Sequence, residues 1–171
     1  RESWTHPDVH GVRTGHEVAD VTIPAQLELE GAIYTGQHLA MVSLDRKKFF
    51  DLIEYTIGLQ LARWFHMDEA YTRYMQNTYD NLEFAYKLQG AIGKLWRRLN
   101  GFVQGCTFSL SIAQLAMNCW TILINKVSGI RSGGFLDDSN VRSKSICAAE
   151  TAWRAAKAWA LSCFFDALAG L

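Results

Sequence analysis

The sequence predicts an α+β domain in which helices pack on one face of an antiparallel sheet. Segments with helical spacing are interspersed with short apolar strands, and they do not follow the regular rhythm of β-α-β units. Only two prolines, Pro7 and Pro24, occur, so the rest of the chain can form long uninterrupted elements. With 171 residues, of which 49% are hydrophobic, the chain is large enough to bury one core.

The first half of the chain predicts three helices and one strand. Mixed apolar and polar residues favour a helix over 17–34 that Pro24 offsets or kinks, and the apolar run LAMVSL predicts a buried strand over 39–44. Residues 49–65 have helical spacing, and residues 68–78 form a second helical stretch rich in Tyr and Met. The apolar face predicted for the first of these two helices contains Phe50, Ile53, Ile57, Leu61 and Trp64.

The second half predicts two helices and a hairpin. Residues 82–99 are ambiguous, because apolar and polar residues alternate only in part and two glycines could mark a turn. Residues 108–126 predict a long helix, and short strands flank Asp137 and Asp138, which places these aspartates at a hairpin tip. Residues 145–168 predict an amphipathic helix whose apolar face contains Ala148, Ala152, Ala155, Trp159, Leu161 and Phe165. We expect the aromatic residues Trp153, Trp159 and Phe165 to pack in the core.

The charge balance argues against a stand-alone nucleic-acid-binding protein. Lys and Arg together number 17, as do Asp and Glu, whereas such proteins usually carry a basic excess. Four cysteines without C-x-x-C spacing indicate reduced intracellular thiols. His6, His10 and His16 have no cysteine partners at ligand spacing, so they do not predict a zinc site.

We expect an intracellular protein, nuclear or cytoplasmic, with no membrane partner. The first residues are polar and contain no signal peptide. The longest apolar run, 112–124, is interrupted by Gln114, Asn118 and Thr121, unlike a membrane span. The chain starts with Arg and stops in mid-pattern, which suggests part of a longer protein.

Three segments carry residues suited to chemistry, and each has a plain structural alternative. In VSLDRKKFFDLI, Asp45 follows an apolar strand and either points into a cleft or caps the next helix. In GGFLDDSNV, Asp137 and Asp138 repel each other, so they lie either in a solvated turn or around a cation. In NGFVQGCTFSLS, glycines before a helix either admit a ligand or serve only the turn; its candidate residues are Gly101, Gln104, Gly105 and Ser109.

In order and spacing, these segments resemble motifs A, B and C of the reverse transcriptase palm. LDRKKFFD matches the family pattern L-D-x-x-K-x-F-D, GFVQGCTFS matches G-x-x-Q-G-x-x-x-S, and FLDD matches [YF]-x-D-D. Upstream, HGVRTGHEVADV is similar to the G-x-R-x-G-R-S segment of non-LTR retroelement and group II intron enzymes. The resemblance spans nearly the whole chain.

The resemblance implies an RNA-directed DNA polymerase of a retroelement, which adds dNTPs to a DNA primer on an RNA template. It implies two Mg²⁺ (or Mn²⁺) ions, because such nucleotidyl transfer uses a two-metal mechanism. Asp45 and Asp137 would bridge the ions, Asp138 would be the supporting carboxylate, and the carbonyl of Arg46 could add a ligand. The fold it implies is a polymerase palm over 39–171, incomplete and without a thumb, preceded by a partial fingers segment over 1–38.

The resemblance also assigns roles to residues around the carboxylates. Phe50, the fifth residue after Asp45, would block a ribose 2′-hydroxyl and so select deoxynucleotides. Gln104 and Gly105 would line the nucleotide pocket. Ser109 and Lys48 would contact nucleic acid. The chain departs from the family at Val103 and Leu110, where proline is usual, which puts the geometry of the helix entry in doubt.

Two alternatives stay open on the sequence. An RNA-directed RNA polymerase palm has similar motifs, but it usually carries Gly where this chain has Leu136, and a second Asp closer to the first than Asp51 is to Asp45. The other alternative is an inactive retroelement remnant that binds nucleic acid.

Overall fold

The computed structural model describes residues 5–11, 13–98 and 100–171. In this part of the chain the helices are α1 (Ala19–Thr35), α2 (Phe49–Leu52), α3 (Tyr55–Trp64), α4 (Glu69–Asp80), α5 (Thr107–Ile124) and α6 (Ala148–Ala169). The strands are β1 (His38–Asp45), β2 (Glu83–Phe84), β3 (Lys87–Leu88), β4 (Ala91–Ile92), β5 (Trp96–Arg97), β6 (Ile130–Phe135) and β7 (Asp138–Ser145).

The central sheet has the order β1-β7-β6, and both of its strand pairs are antiparallel. Side chains alternate between the two faces of such a sheet. Val141 of β7 is fully buried on the face that α5 and α6 cover, and Met117 of α5 reaches Gly134 of β6 there. The predicted α+β class, with helices packed on an antiparallel sheet, is confirmed.

The helix α5 forms the centre of the core, because eleven of its 18 residues are buried. The polar residues Asn118 and Thr121 lie inside as well, and the Asn118 side chain accepts a hydrogen bond from the His6 backbone at 2.6 Å. Among the described residues, α5 alone is long and apolar enough to cross a membrane, a test that the core helix of a soluble protein also passes.

The helix α1 crosses part of the opposite face of the sheet. Val21 lies over Gly133 of β6, where an added Cβ would be 3.2 Å from its side chain. Glu28, whose side chain is 13% exposed, pairs with Arg131 at 2.7 Å and with the buried Arg142 at 3.6 Å. The predicted helix over 17–34 is therefore confirmed, with Pro24 inside it. The division into a fingers segment (1–38) and a palm (39–171) stays a prediction.

The single helix predicted over 49–65 is wrong, since the chain forms α2 and α3 with a break between them. Ile53 has an extended backbone (φ −58°, ψ 120°), and its side chain is buried in the core. The following Glu54 is also extended. The helix α3 then buries Gly58, Leu59 and Ala62, which leaves Trp64 exposed instead of on the predicted apolar face.

The apolar face predicted for the last helix is also partly wrong. The helix α6 buries Thr151, Ala155, Ala158 and Ser162, whereas Trp153 and Trp159 are 61% and 52% exposed. Small residues on the buried face of α6 let it pack closely against its neighbours, and the indole of Trp120 donates to the Ser162 hydroxyl there at 3.0 Å. Of the three aromatic residues expected in the core, Phe165 packs against it.

Within the ambiguous stretch, residues 83–97 form a nested hairpin. The outer pair joins β2 to β5 and the inner pair joins β3 to β4, with Gly90 (φ 88°) in the turn. The rings of Phe84 and Trp96 stack across the outer pair at 5.1 Å.

The side chain of Arg46 is buried where four elements meet. Its Nε donates to Asp166 of α6 at 2.7 Å, and its Nη1 donates to Ser139 of β7 at 2.8 Å. Nη1 also lies 3.6 Å from the sulfur of Met117, and the guanidinium carbon lies 5.1 Å from the Trp120 ring centroid. Only 3% of this side chain is exposed, so its charge depends on Asp166 for compensation.

We predict that Asp166→Leu destabilises the protein by about 3 kcal/mol, because it leaves the Arg46 charge buried and unpaired. The double variant Arg46→Met/Asp166→Leu should recover most of that loss, since it removes both charges. Urea unfolding of the parent and the variants measures both effects.

The matched control is Glu83→Gln, which breaks the exposed ion pair with Arg97 and should cost less than about 1 kcal/mol. Equal stability of the single and double variants at the buried pair would contradict the role given to Arg46.

Candidate active site

The end of β1 and the start of β7 bring Asp45 and Asp138 together. The two residues are directly opposite each other in the antiparallel register. Directly opposite residues project to the same face, and here it is the face turned away from α5 and α6. Both residues are exposed. Asp137 precedes Asp138 in the two-residue turn between β6 and β7 and is half-buried. The predicted hairpin tip is therefore where the sequence pattern placed it.

The three carboxylates interact unfavourably with one another. Burial, and then the charges of Asp137 and Asp45, raise the pKa of Asp138 above its usual value. In the part of the chain that the structure describes, no ion pair joins any of these three carboxylates to Lys, Arg or His. A bound cation would remove this repulsion.

The donors present suit a hard divalent cation. Carboxylate oxygens are the ligands that Mg²⁺ prefers, and it typically takes only one or two carboxylates, with water and substrate phosphates filling its other positions. Asp45, Asp137 and Asp138 supply this donor type at one edge of the sheet. The residues therefore fit the ions that the sequence resemblance implies.

The turn between β6 and β7 has a strained backbone. Leu136 has φ 57°, a left-handed value that a branched, non-glycine residue rarely adopts. Such backbone costs about 1–3 kcal/mol and persists only where its surroundings enforce it. Gly11 is part of those surroundings: a Cβ added there would be 2.6 Å from the Leu136 backbone nitrogen.

The segment before Gly11 runs along β6. The His10 N–H donates to the Gly134 carbonyl at 2.9 Å, and the Gly134 N–H donates to the Asp8 carbonyl at 2.9 Å. Arg13 then folds back and donates to the Val9 carbonyl at 3.2 Å. The sequence pattern identifies this upstream segment, but it predicts no role for Gly11. The only sequence signal for such a role is the glycine in HGVRTG, because the residue that Gly11 contacts, Leu136, is 125 residues away in the chain.

The Gln-Gly segment is attached to α2 by three contacts. The Phe102 N–H donates to the Phe50 carbonyl at 2.5 Å. Gly101 (φ 86°) lies so close to the Asp51 backbone that no side chain would fit. Arg98 forms an ion pair with the Asp51 carboxylate. These contacts place the residues after Phe102 beside the helix that follows Asp45.

The predicted nucleotide-binding residues lie on both sides of this junction. Phe50 is half-buried, and its ring packs edge-on against Phe49 at 5.5 Å. Gln104 and Gly105 are exposed, and Gly105 (φ 80°) has open space where a side chain would be. Within residues 5–11, 13–98 and 100–171, no hydrogen bond joins Gln104 to the three carboxylates. The roles of these residues stay predictions.

The position of Ser109 does not support the predicted contact with nucleic acid. Ser109 is only 1% exposed, and its hydroxyl donates to the Val103 carbonyl at 2.5 Å. It also lies 3.1 Å from the Tyr79 hydroxyl, which in turn accepts a hydrogen bond from the Val103 N–H. Ser109 therefore holds the loop before α5 in place. Ser109 is inaccessible because this part of α5 is buried, and the sequence motif does not predict that burial.

The two remaining predicted residues flank Asp45. The Arg46 carbonyl accepts a hydrogen bond from the Phe49 N–H at 3.2 Å, and its role as a metal ligand stays a prediction. The buried Arg46 side chain supports the ends of β1 and β7, a role that the sequence did not predict. Lys48 is exposed and has φ 57° just before α2, and its contact with nucleic acid also stays a prediction.

Comparison with known proteins agrees with this geometry. Residues 3–167 match the family described as Reverse transcriptase (RNA-dependent DNA polymerase). A search of curated proteins finds no match. The family match includes the three carboxylates, the Gln-Gly segment and the upstream segment along β6. The chain therefore belongs to the reverse transcriptase family, whose members are RNA-directed DNA polymerases and thus nucleotidyltransferases.

Proposed function

We propose that this chain is the catalytic core of a retroelement reverse transcriptase, of the non-LTR or group II intron type. It extends a DNA primer on an RNA template, inside the cell, in the nucleus or the cytoplasm. The observation that carries the proposal is the convergence of Asp45, Asp137 and Asp138 at adjoining strand ends, without a cationic partner among the described residues. The upstream segment HGVRTGHEVADV supports the retroelement type.

In this proposal the carboxylates hold two divalent cations. Asp45 and Asp137 would hold both ions, Asp138 would support them, and the Arg46 carbonyl would add a ligand. When bound, the ions activate the primer 3′-oxygen and neutralise the triphosphate of the incoming nucleotide. The protein contributes placement: the Arg46 side chain fixes the end of β1 against Ser139, next to Asp138. A rigid site of this kind lowers the reorganisation needed during the reaction.

The residues around the carboxylates select and position the substrates. Phe50 excludes the 2′-hydroxyl of a ribonucleotide, and the Phe102 contact with its backbone keeps α2 in position. Gln104 and the open space at Gly105 receive the nucleotide and the template base. Lys48 is exposed beside the site and contacts a phosphate of the nucleic acid.

We predict that Asp137→Asn abolishes or strongly weakens binding of Mn²⁺, because it removes a shared carboxylate ligand. Isothermal calorimetry of the parent and the variant measures the number of ions and their affinity. The matched control is Glu30→Gln, which removes an exposed carboxylate on α1 and should leave binding unchanged. Equal binding by Asp137→Asn and the parent would contradict the proposed site.

We predict that Phe50→Ala raises the use of ribonucleotides relative to deoxynucleotides by roughly tenfold or more, which corresponds to about 1.4 kcal/mol in barrier height. The physical reason is the removal of the ring that excludes the 2′-hydroxyl. Primer extension on an RNA template with each nucleotide type measures this ratio. Phe164→Ala, on the exposed side of α6, is the control and should not change it. An unchanged ratio in Phe50→Ala would exclude the selective role.

We predict that Gly11→Ala destabilises the protein by about 1–3 kcal/mol and slows primer extension, because the new Cβ pushes on the Leu136 backbone. Gly31→Ala is the control, since a Cβ there meets nothing within 4 Å and favours the helix α1. Thermal unfolding and primer extension measure the two effects. Stability and activity like those of the parent in Gly11→Ala would show that the upstream segment does not support the catalytic turn.

A further inference from the structure

A second group of potential metal ligands lies outside the carboxylate site, where the upstream segment turns into α1. The Nδ1 atoms of His10 and His16 are 2.9 Å apart. The His16 Nδ1 lies 3.6 Å from Oδ2 of Asp20. One ligand atom from each of the three residues lies within 4.8 Å of the others.

The backbone holds these three residues from two separate places. His10 is attached to the central sheet through its N–H bond to Gly134 of β6. His16 lies three residues before α1 and Asp20 lies in the first turn of α1. Oδ2 of Asp20 also accepts a hydrogen bond from the Glu17 N–H at 2.7 Å. Between these places the chain turns at Arg13, whose carbonyl accepts a hydrogen bond from the His16 N–H at 3.1 Å. This turn brings the start of α1 back beside His10 and so forms the cluster.

The distances are close to those of a tetrahedral site. With Zn–N bonds of 2.0–2.1 Å, two imidazole nitrogens on one ion lie about 3.3 Å apart. The observed nitrogen separation of 2.9 Å needs a widening of a few tenths of an ångström. Both histidines are only half-buried and Asp20 is exposed, so their rings and carboxylate have room to rotate.

We propose that His10, His16 and Asp20 bind one divalent transition-metal cation of the Zn²⁺ class. Imidazole nitrogen suits such borderline cations, whereas Mg²⁺ prefers oxygen ligands, so this site and the carboxylate site take different ions. Water completes the coordination on the exposed side. The bound ion joins the start of α1, which has no side-chain cap at Val18, to the segment that runs along β6.

The proposed metal site is independent of the proposed polymerase reaction, and all three of its residues lie within a short segment, 10–20. His16 and Asp20 are four residues apart, on either side of the start of α1, and their side chains meet there. His10 joins them through the turn at Arg13 and is held by its contact with Gly134. No cysteine accompanies them, so the usual zinc-ligand spacing does not indicate the site.

The test is titration of the chain with Zn²⁺, and with Co²⁺ followed by visible absorption, in the presence of excess Mg²⁺. We expect one ion per chain, with affinity at least tenfold lower in His10→Gln and in His16→Gln, and lower in Asp20→Asn. His38→Gln, which changes an exposed histidine on β1, and Asp137→Asn should bind as the parent does. Zn²⁺ should raise the unfolding temperature of the parent but not that of His16→Gln.

Three results would overturn the proposal: no saturable binding by the parent, binding that survives His10→Gln, or a Co²⁺ thiolate band, which would place the ion at a cysteine. Unfolding of His10→Gln and His16→Gln without metal shows whether each variant is folded. The side chains are half-buried, so we expect unfolding temperatures near that of the parent. A readout by metal binding and stability keeps this test separate from polymerase activity.

Discussion

The buried guanidinium of Arg46 is the interaction on which the candidate site depends. Successive side chains of an extended strand point to opposite faces, so Asp45 faces outward while Arg46 enters the core. There it bonds Asp166 of α6 and Ser139 of β7, and Ser139 is the neighbour of Asp138. The same side chain thus ties the two strand ends together from beneath the carboxylates. It supports the strand ends without occupying the face that the carboxylates share.

The site contains unfavourable interactions that the rest of the fold must offset. Asp45, Asp137 and Asp138 repel one another, which the raised pKa of Asp138 reflects, and Leu136 adds a left-handed backbone. A substantial part of the compensation comes from α5, whose buried side chains anchor the sheet from the other face. A bound cation would therefore stabilise this part of the fold, because it would relieve the repulsion among the three carboxylates.

The sequence predicts those features that depend on local residue patterns and on interactions between residues close together in the chain. The strand before Asp45, the helix α5 and the hairpin tip all follow from apolar runs and turn residues, and the family motifs identify the three carboxylates. The prediction that this strand is buried was wrong, since every residue of β1 is exposed or half-buried. The sequence does not predict the break at Ile53, the burial of Ser109 or the exposure of Trp153, because these depend on which neighbours each helix meets. The requirement for glycine at position 11 is also not predicted, because it comes from contact with Leu136, far along the chain.

The ion pairs show which of the basic residues in this electrically neutral chain are already paired with carboxylates. Within the described residues, many arginines are already paired with carboxylates, whereas no lysine lies within ion-pair distance of one. Lys47 and Lys48, directly after the pivotal Arg46, are both exposed and next to the candidate site. Lysine point charges are therefore available for the proposed phosphate contacts, and such contacts carry little sequence preference. The arginines that form ion pairs with carboxylates are Arg46, Arg73, Arg97, Arg98, Arg131, Arg142 and Arg154.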